Sequence, residues 1–366
     1  ILKEREYVTA CPIKPESVMF YGDGKIEFET ADTFVPGNVV IAATDENGEI
    51  IWSWHIWCAE GYDPDLTKKK FGTSATTGYI LDRNIGASIA DPEEWDAWGA
   101  SQASGVQFQW GRKDMFSGPI DMLSSDGNRG GVGHAVMDAD GNLIYGSNGP
   151  GGDQYIYPSG SDKGCIVMAN LGEGHTFEQA IEYTIKNPEK IAHRYGRGST
   201  GGGTWWGDPR AAVSGEGSDL YAWGNPNAWT GTVVKTIYDP CPAGWMVPPV
   251  TFGYRMADNC TITKKTYGWV INDGGDDVYI PLSGSRWADA SKFFDVKQCA
   301  TGWMSAAGDA DHQSGAGYSI INDGTDEAPL VHTINREQNS ATYEGGQPLK
   351  WGVLCRPVRC VMEGWE

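Results

Sequence analysis

Basic residues are scarce: the 366-residue chain carries 28 Lys and Arg against 48 Asp and Glu, a formal charge of −20. A surface so short of cations is a poor match for a phosphate backbone, which argues against nucleic acid as a partner. Long apolar runs are missing too. No stretch approaches the roughly 20 uninterrupted apolar residues of a membrane-spanning helix, so no transmembrane segment is expected. The opening residues, Ile1-Leu2-Lys3-Glu4-Arg5-Glu6, lack the apolar core of a signal peptide. Because the sequence does not start with Met, the expectation is a processed product whose export signal or lipid anchor stood upstream.

Catalytic signatures are equally sparse. There is no P-loop, no G-x-S-x-G elbow and no H-E-x-x-H, and His55, His134, His175, His193, His312 and His332 are never paired at i, i+4. Gly196-Arg197-Gly198-Ser199-Thr200-Gly201 fits G-x-G-x-x-G, but a helical segment precedes it and Gly-Gly-Thr-Trp-Trp comes after, whereas a dinucleotide site needs a strand before and a helix after. None of the eight cysteines forms a C-x-x-C pair, which argues against structural zinc. Their even number and wide spacing are compatible with disulfides in an oxidising compartment, among on the order of 100 pairings.

What the chain does have is 50 Gly and 16 Trp, both well above ordinary usage. The first sixty residues read as a small β unit, either packed on the next part of the chain or forming the end of a larger β-sandwich domain. Runs of strand composition flank Asp23-Gly24 and Asn47-Gly48, dipeptides that accept the positive φ of tight hairpin turns. The closing strand, Trp52 to Trp57, places Trp52, Trp54 and Ile56 on one face and Ser53, His55 and Trp57 on the other. Apolar residues on both faces predict burial between this unit and the next, with His55 as a structural histidine.

Beyond residue 60 the pattern becomes irregular. The clearest helix runs from Thr176 to about Lys186, with Thr176 and Gln179 as a capping box and an apolar stripe of Phe177, Ala180, Ile181 and Ile185. Asp91-Pro92 opens a shorter candidate. Residues 118–232 contain 24 of the 50 glycines and read as one large insertion, whose interleaved aromatics favour an ordered, functional surface. Trp205, Trp206, Asp208, Arg210, Trp229 and Trp287 form the candidate ligand-binding set, since exposed indoles stack on sugar rings or pack against proteins. Trp223, Trp245, Trp303 and Trp351 are expected in the core. Acidic turns at 138–142, 272–277 and 322–327 make calcium the one candidate cofactor, with Asp273, Asp276, Asp277, Asp323 and Asp326 as oxygen ligands. The same Asx-Gly sequences also suit ordinary tight turns, and none matches an EF-hand loop.

Six blocks, in order, carry a resemblance: Tyr79 to Gly86, Val106 to Arg112, Asp239-Pro240-Cys241-Pro242-Ala243-Gly244-Trp245-Met246-Val247-Pro248, Tyr279 to Arg286, Gly302 to Ser305, and Trp351 to Arg359. Together they resemble the Fibrobacter succinogenes major paralogous domain, a family of Bacteroidetes surface and fimbrial-tip-type proteins similar to C-type-lectin-like domains and, more distantly, to formylglycine-generating enzymes. The resemblance implies an α+β fold: an N-terminal antiparallel β unit (1–60, a partial β-sandwich) followed by a loop-rich C-type-lectin-like domain (61–366) with the insertion at 118–232. It also implies that Cys241 and Cys355 sit together as a disulfide candidate. The sugar-binding triplets of calcium-dependent lectins and the paired cysteines of the formylglycine-generating enzymes are absent, so the fold transfers better than any activity. The resulting expectation is a non-enzymatic adhesin or fimbrial-tip-like module on the outer face of the bacterial outer membrane, or secreted, binding a host or dietary glycan or a surface protein. An accessory surface lipoprotein of a nutrient-uptake complex is the alternative, and an enzyme related to the formylglycine-generating group stands third.

Overall fold

Gly24 and Gly48 adopt φ of +87° and +82°, and each closes a hairpin where an Asx-Gly turn was expected. The first joins Met19–Tyr21 to Lys25–Glu27, the second Gly37–Thr44 to Ile50–Cys58. The computed structural model describes residues 11–73, 78–91, 97–119, 136–140, 143–145, 169–170, 177–190, 192–193, 222–223, 234–286, 293–294, 296–307, 315–321, 330–333 and 355–365. Among these the chain is strand-rich with four α-helices, a mixed α and β architecture.

The longer hairpin has two occupied faces. Ile41 and Ala43 on one face are buried, as is Ile13, and Phe20 of the shorter hairpin lies 6.3 Å from Trp54 on that same face. The opposite face docks on the rest of the molecule. Trp57 Nε1 donates to the Ala87 carbonyl at 3.1 Å, Asn38 Nδ2 to the Gly86 carbonyl at 2.9 Å, and buried Ser53 Oγ to Asp114 at 2.7 Å. The closing strand therefore packs on residues 86–114 through buried Ser53 and half-buried His55 and Trp57.

Two antiparallel sheets draw on distant parts of the chain. One has the order Trp245–Met246, Val361–Met362, Gly78–Ile80, Lys69–Phe71; the other runs Phe293–Phe294, Ser285–Arg286, Cys355–Arg356, Gln107–Gln109, Met115–Phe116. Two three-stranded sheets, 261–281 and 299–333, complete the larger core together with the helix Val250–Asp258. Trp365 packs its ring within 5.8 Å of both Phe71 and Phe252. Its indole covers Gly78 so closely that a Cβ there would sit 2.0 Å from it, so only glycine fits. Burying each such aromatic contributes about 1.5–3 kcal/mol.

The helix Phe177–Lys186 forms as its periodicity predicts, with Ala180 and Ile181 buried; Thr176 of the expected capping box lies outside the described residues. A second helix, Ala97–Ser104, comes after the Asp91-Pro92 signal, although residues 92–96 are likewise outside them. Among the described residues no helix is long and apolar enough to cross a membrane.

Candidate functional site

The block around Cys241 shows how a short motif becomes a rigid corner. Asp239 is buried, and its carboxylate accepts from the Cys241 N–H at 2.8 Å, the Val247 N–H at 2.9 Å and Lys235 Nζ at 2.7 Å, so one side chain fastens both ends of the turn. Burial pushes its carboxyl above the usual range, and the Lys235 ammonium opposes that. Gly244 takes the positive φ of +80° that the turn requires, and Trp245 enters the core.

The disulfide corrects one expectation. Cys241 bonds to Cys360, not to Cys355. Cys355 faces into the five-stranded sheet, directly opposite Arg286 and Gln109, whereas Cys360 adjoins the strand that pairs with Trp245–Met246. Between Arg356 and Val361 the chain crosses from one sheet to the other, and this crossing brings Cys360 beside Cys241. The buried Cys355 thiol is pushed up to about 12 by burial, with Arg286 and Arg112 pulling the other way, so it stays protonated at neutral pH.

The resemblance blocks meet in this core. The Arg359 guanidinium donates to Asn84 Oδ1 at 2.8 Å, to the Leu81 carbonyl at 3.2 Å and to the Tyr279 carbonyl at 2.8 Å. Trp303 Nε1 donates to the Phe108 carbonyl at 2.7 Å, and Trp110 Nε1 to the Met304 carbonyl at 2.8 Å. Burial holds Arg359 down at about 10. Trp223, Trp245 and Trp303 are core residues as expected; Trp351 lies outside the described residues.

The described residues of the Gly-rich stretch 118–232 are fastened to the core at several points. Past Phe116, Arg286 Nη2 donates to the Ser117 carbonyl at 2.6 Å and Ser101 Oγ to the Pro119 carbonyl at 2.6 Å. Within the stretch, Ala180, Ile181, Ala222 and Trp223 join the smaller core cluster. Arg112 ties these parts together. Its guanidinium donates to the carbonyls of Lys190 at 2.5 Å and of Asn187 and Pro188 at 3.3 Å, while its own carbonyl accepts from Trp223 Nε1 at 3.1 Å. Burial lowers the Arg112 pKa, opposed mainly by Asp114. Arg112 in this role escapes sequence reading; the only hint is a charged residue ending an otherwise uncharged block.

Trp205, Trp206, Asp208, Arg210, Trp229 and Trp287 lie outside the described residues, as do Asp323 and Asp326. Asp273, Asp276 and Asp277 are described, and the structure does not bring their carboxylates together. Asp273 accepts from Arg255 Nε at 3.0 Å, Asp276 from the Lys70 N–H at 2.7 Å, and Asp277 from Asn272 Nδ2 at 2.8 Å. Each carboxylate is engaged by a protein donor: Asp277 within its own turn, Asp273 with the helix Val250–Asp258 and Asp276 with the strand Lys69–Phe71. Among the described residues no group of three His, Cys, Asp or Glu could hold a metal ion.

A further polar cluster sits where the β unit docks. Lys113 Nζ contacts Asp114 at 2.5 Å and the Ser53 carbonyl at 3.1 Å, and also touches Ser53 Oγ. His55 Nε2 lies 2.8 Å from Asn38 Oδ1, and its ring is 6.4 Å from that of Phe108. Burial depresses His55 to about 4, with Asp114 opposing, so the ring is neutral at pH 7. Burial likewise lowers the Lys113 ammonium. Ser53 is buried, so this Ser, Lys and Asp cluster ties the longer hairpin to residues 113–114 rather than presenting a hydroxyl to solvent. Comparison with family models, with curated proteins and with solved structures found no match.

Proposed function

We propose that the chain is a non-enzymatic binding module of the bacterial cell surface, adhesin-like or fimbrial-tip-like, that takes a glycan or a protein through the Gly/Trp-rich insertion. The observation that carries this reading is how the insertion is mounted. Of the stretch 118–232 read as an insertion, the described parts are bolted to the core by Arg112, Trp223 and the helix Phe177–Lys186. Long loops on a rigid frame are the usual carriers of recognition. The convergence of six sequence blocks on one core supports a C-type-lectin-like scaffold of the major paralogous type. The Cys241–Cys360 disulfide suits an oxidising compartment and so supports export to the outer face of the outer membrane or beyond.

The reading as an accessory lipoprotein of an uptake complex draws on a different surface: Met19, Phe20, Phe34 and Ile51 of the β unit are each about half exposed. A glycan array probed with the wild type and with Trp205→Ala and Trp206→Ala separates the two. Binding that both substitutions abolish, at unchanged melting temperature, supports the insertion as the site. Binding untouched by either substitution, or no glycan binding together with co-purification of an outer-membrane transporter, overturns it.

A further inference from the structure

Cys11 and Cys58 are brought to one place by the backbone. Cys58 ends the longer hairpin and stands directly opposite Gly37 in the strand register. Residues opposite each other in an antiparallel pair have Cα atoms about 4.5–5.5 Å apart and project to the same face. On that face a Cβ added to Gly37 would lie 3.0 Å from Pro12 Cγ, so the residue after Cys11 rests against the residue facing Cys58. The segment is held there by main-chain bonds: the Ala31 N–H donates to the Pro12 carbonyl at 3.0 Å and the Lys14 N–H to the Glu29 carbonyl at 2.9 Å, with Ile13 bridged to Thr30. Ile13, two residues past Cys11, is buried.

The other described cysteines are placed elsewhere. Cys241 and Cys360 are bonded to each other, Cys299 and Cys355 are buried in separate sheets, and Cys260 lies just past the helix Val250–Asp258. Cys11 is exposed and Cys58 half-buried, and neither is bridged. Burial raises the Cys58 thiol, and the neighbouring Cys11 adds to that shift, which agrees with their closeness.

We propose that Cys11 and Cys58 are a thiol–disulfide pair, a second redox site that staples the N-terminal segment to the last residue of the hairpin. The oxidant is a small-molecule disulfide such as oxidised glutathione. The exposed Cys11 thiolate attacks one sulfur of that disulfide and releases one glutathione thiolate, giving a mixed disulfide. The Cys58 thiolate then attacks Cys11 Sγ and expels the second glutathione. Two electrons pass from the cysteines to the oxidant, and the two thiol protons end on the released glutathione. In the bridged form the strand that hands Trp57 to Ala87 is tied covalently to the segment lying over its opposite face.

The test uses the full chain, reduced mildly, equilibrated with oxidised glutathione, alkylated and peptide-mapped by mass spectrometry. The expected product is a linked peptide containing Cys11 and Cys58, with both residues lost from the alkylated pool. Cys58→Ser should halt the sequence at a Cys11–glutathione adduct, and Cys11→Ser should leave Cys58 alkylatable. Cys11 lies at the exposed rim, so the Cys11→Ser variant keeps its fold, which circular dichroism checks. Alkylation of both residues in the oxidised wild type, or either one linked to Cys165 or Cys260 instead, would overturn the proposal.

Discussion

His55 makes the junction between the two units sensitive to acid, and the size of the effect comes from its surroundings. The ring donates a hydrogen bond from Nε2 to Asn38 Oδ1, faces Phe108 and lies in the field of Asp114, with Lys113 beyond; burial outweighs the carboxylate and depresses its pKa from 6.5 to about 4. Between those values the unfolded chain binds a proton on this side chain and the folded chain does not. Stability therefore holds in full above pH 6.5 and is lost as the pH falls to about 4, below which the term is constant. The gap between 6.5 and about 4, at about 1.4 kcal/mol per pH unit, gives a full loss of about 3.5 kcal/mol, of which about 3 kcal/mol is reached by pH 4. His55→Gln keeps a polar partner for Asn38 and removes the titration. Urea unfolding of both proteins at half-unit steps from pH 7.5 to 4 isolates the histidine, because every other group cancels in the difference. The wild type should lose about 3 kcal/mol relative to His55→Gln across that span. A flat difference, or a wild type that gains on the variant as acid is added, refutes the reasoning.

Four further perturbations test the remaining architecture. Replacing both Cys241 and Cys360 by Ala opens a loop with a sequence separation of 119, for which chain entropy alone gives a loss of about 4–5 kcal/mol in denaturant unfolding; a loss below about 1 kcal/mol would count against the bridge as a main constraint. Trp303→Ala removes a fully buried indole and strips the Phe108 carbonyl of its donor, and should cost about 3–5 kcal/mol by the same assay. Asp276→Ala should lower the melting temperature equally with and without millimolar calcium, since it deprives the Lys70 N–H of a partner; an effect confined to calcium-containing buffer would restore a cation site at this turn. Arg112→Gln frees three carbonyls of the segment 187–190, and limited proteolysis should then cut between residues 120 and 233 before the scaffold opens.

What the sequence discloses here divides by the range of the interaction. Hairpins at Asp23-Gly24 and Asn47-Gly48 are legible because the turn chemistry is local, and the helix Phe177–Lys186 because its apolar period is. The buried positions of Trp223, Trp245 and Trp303 are legible from composition and context. The partner of Cys241 is not, because Cys355 and Cys360 are only five residues apart and the crossing between sheets that separates them is a tertiary event. The acidic turn at 272–277 is only partly legible for a related reason. Its Asx-Gly composition is shared by cation loops and ordinary turns, and the donors that engage Asp276 and Asp273, Lys70 and Arg255, come from other elements. Arg112 is opaque because the carbonyls it gathers belong to a segment some 75 residues away.

The strand Val361–Met362 lies between Trp245–Met246 and Gly78–Ile80, and Trp365 just beyond it fills the core against Phe71 and Phe252. A sheet whose neighbours are so far apart in sequence cannot be assembled piecemeal as the chain is made. The early strands must wait, with their apolar faces uncovered, for residues some 280 positions later. Such non-local closure is slow and leaves intermediates prone to aggregate. The growing chain thus depends on something other than its own fold to stay unassociated, and its charge of −20 is one such source of mutual repulsion.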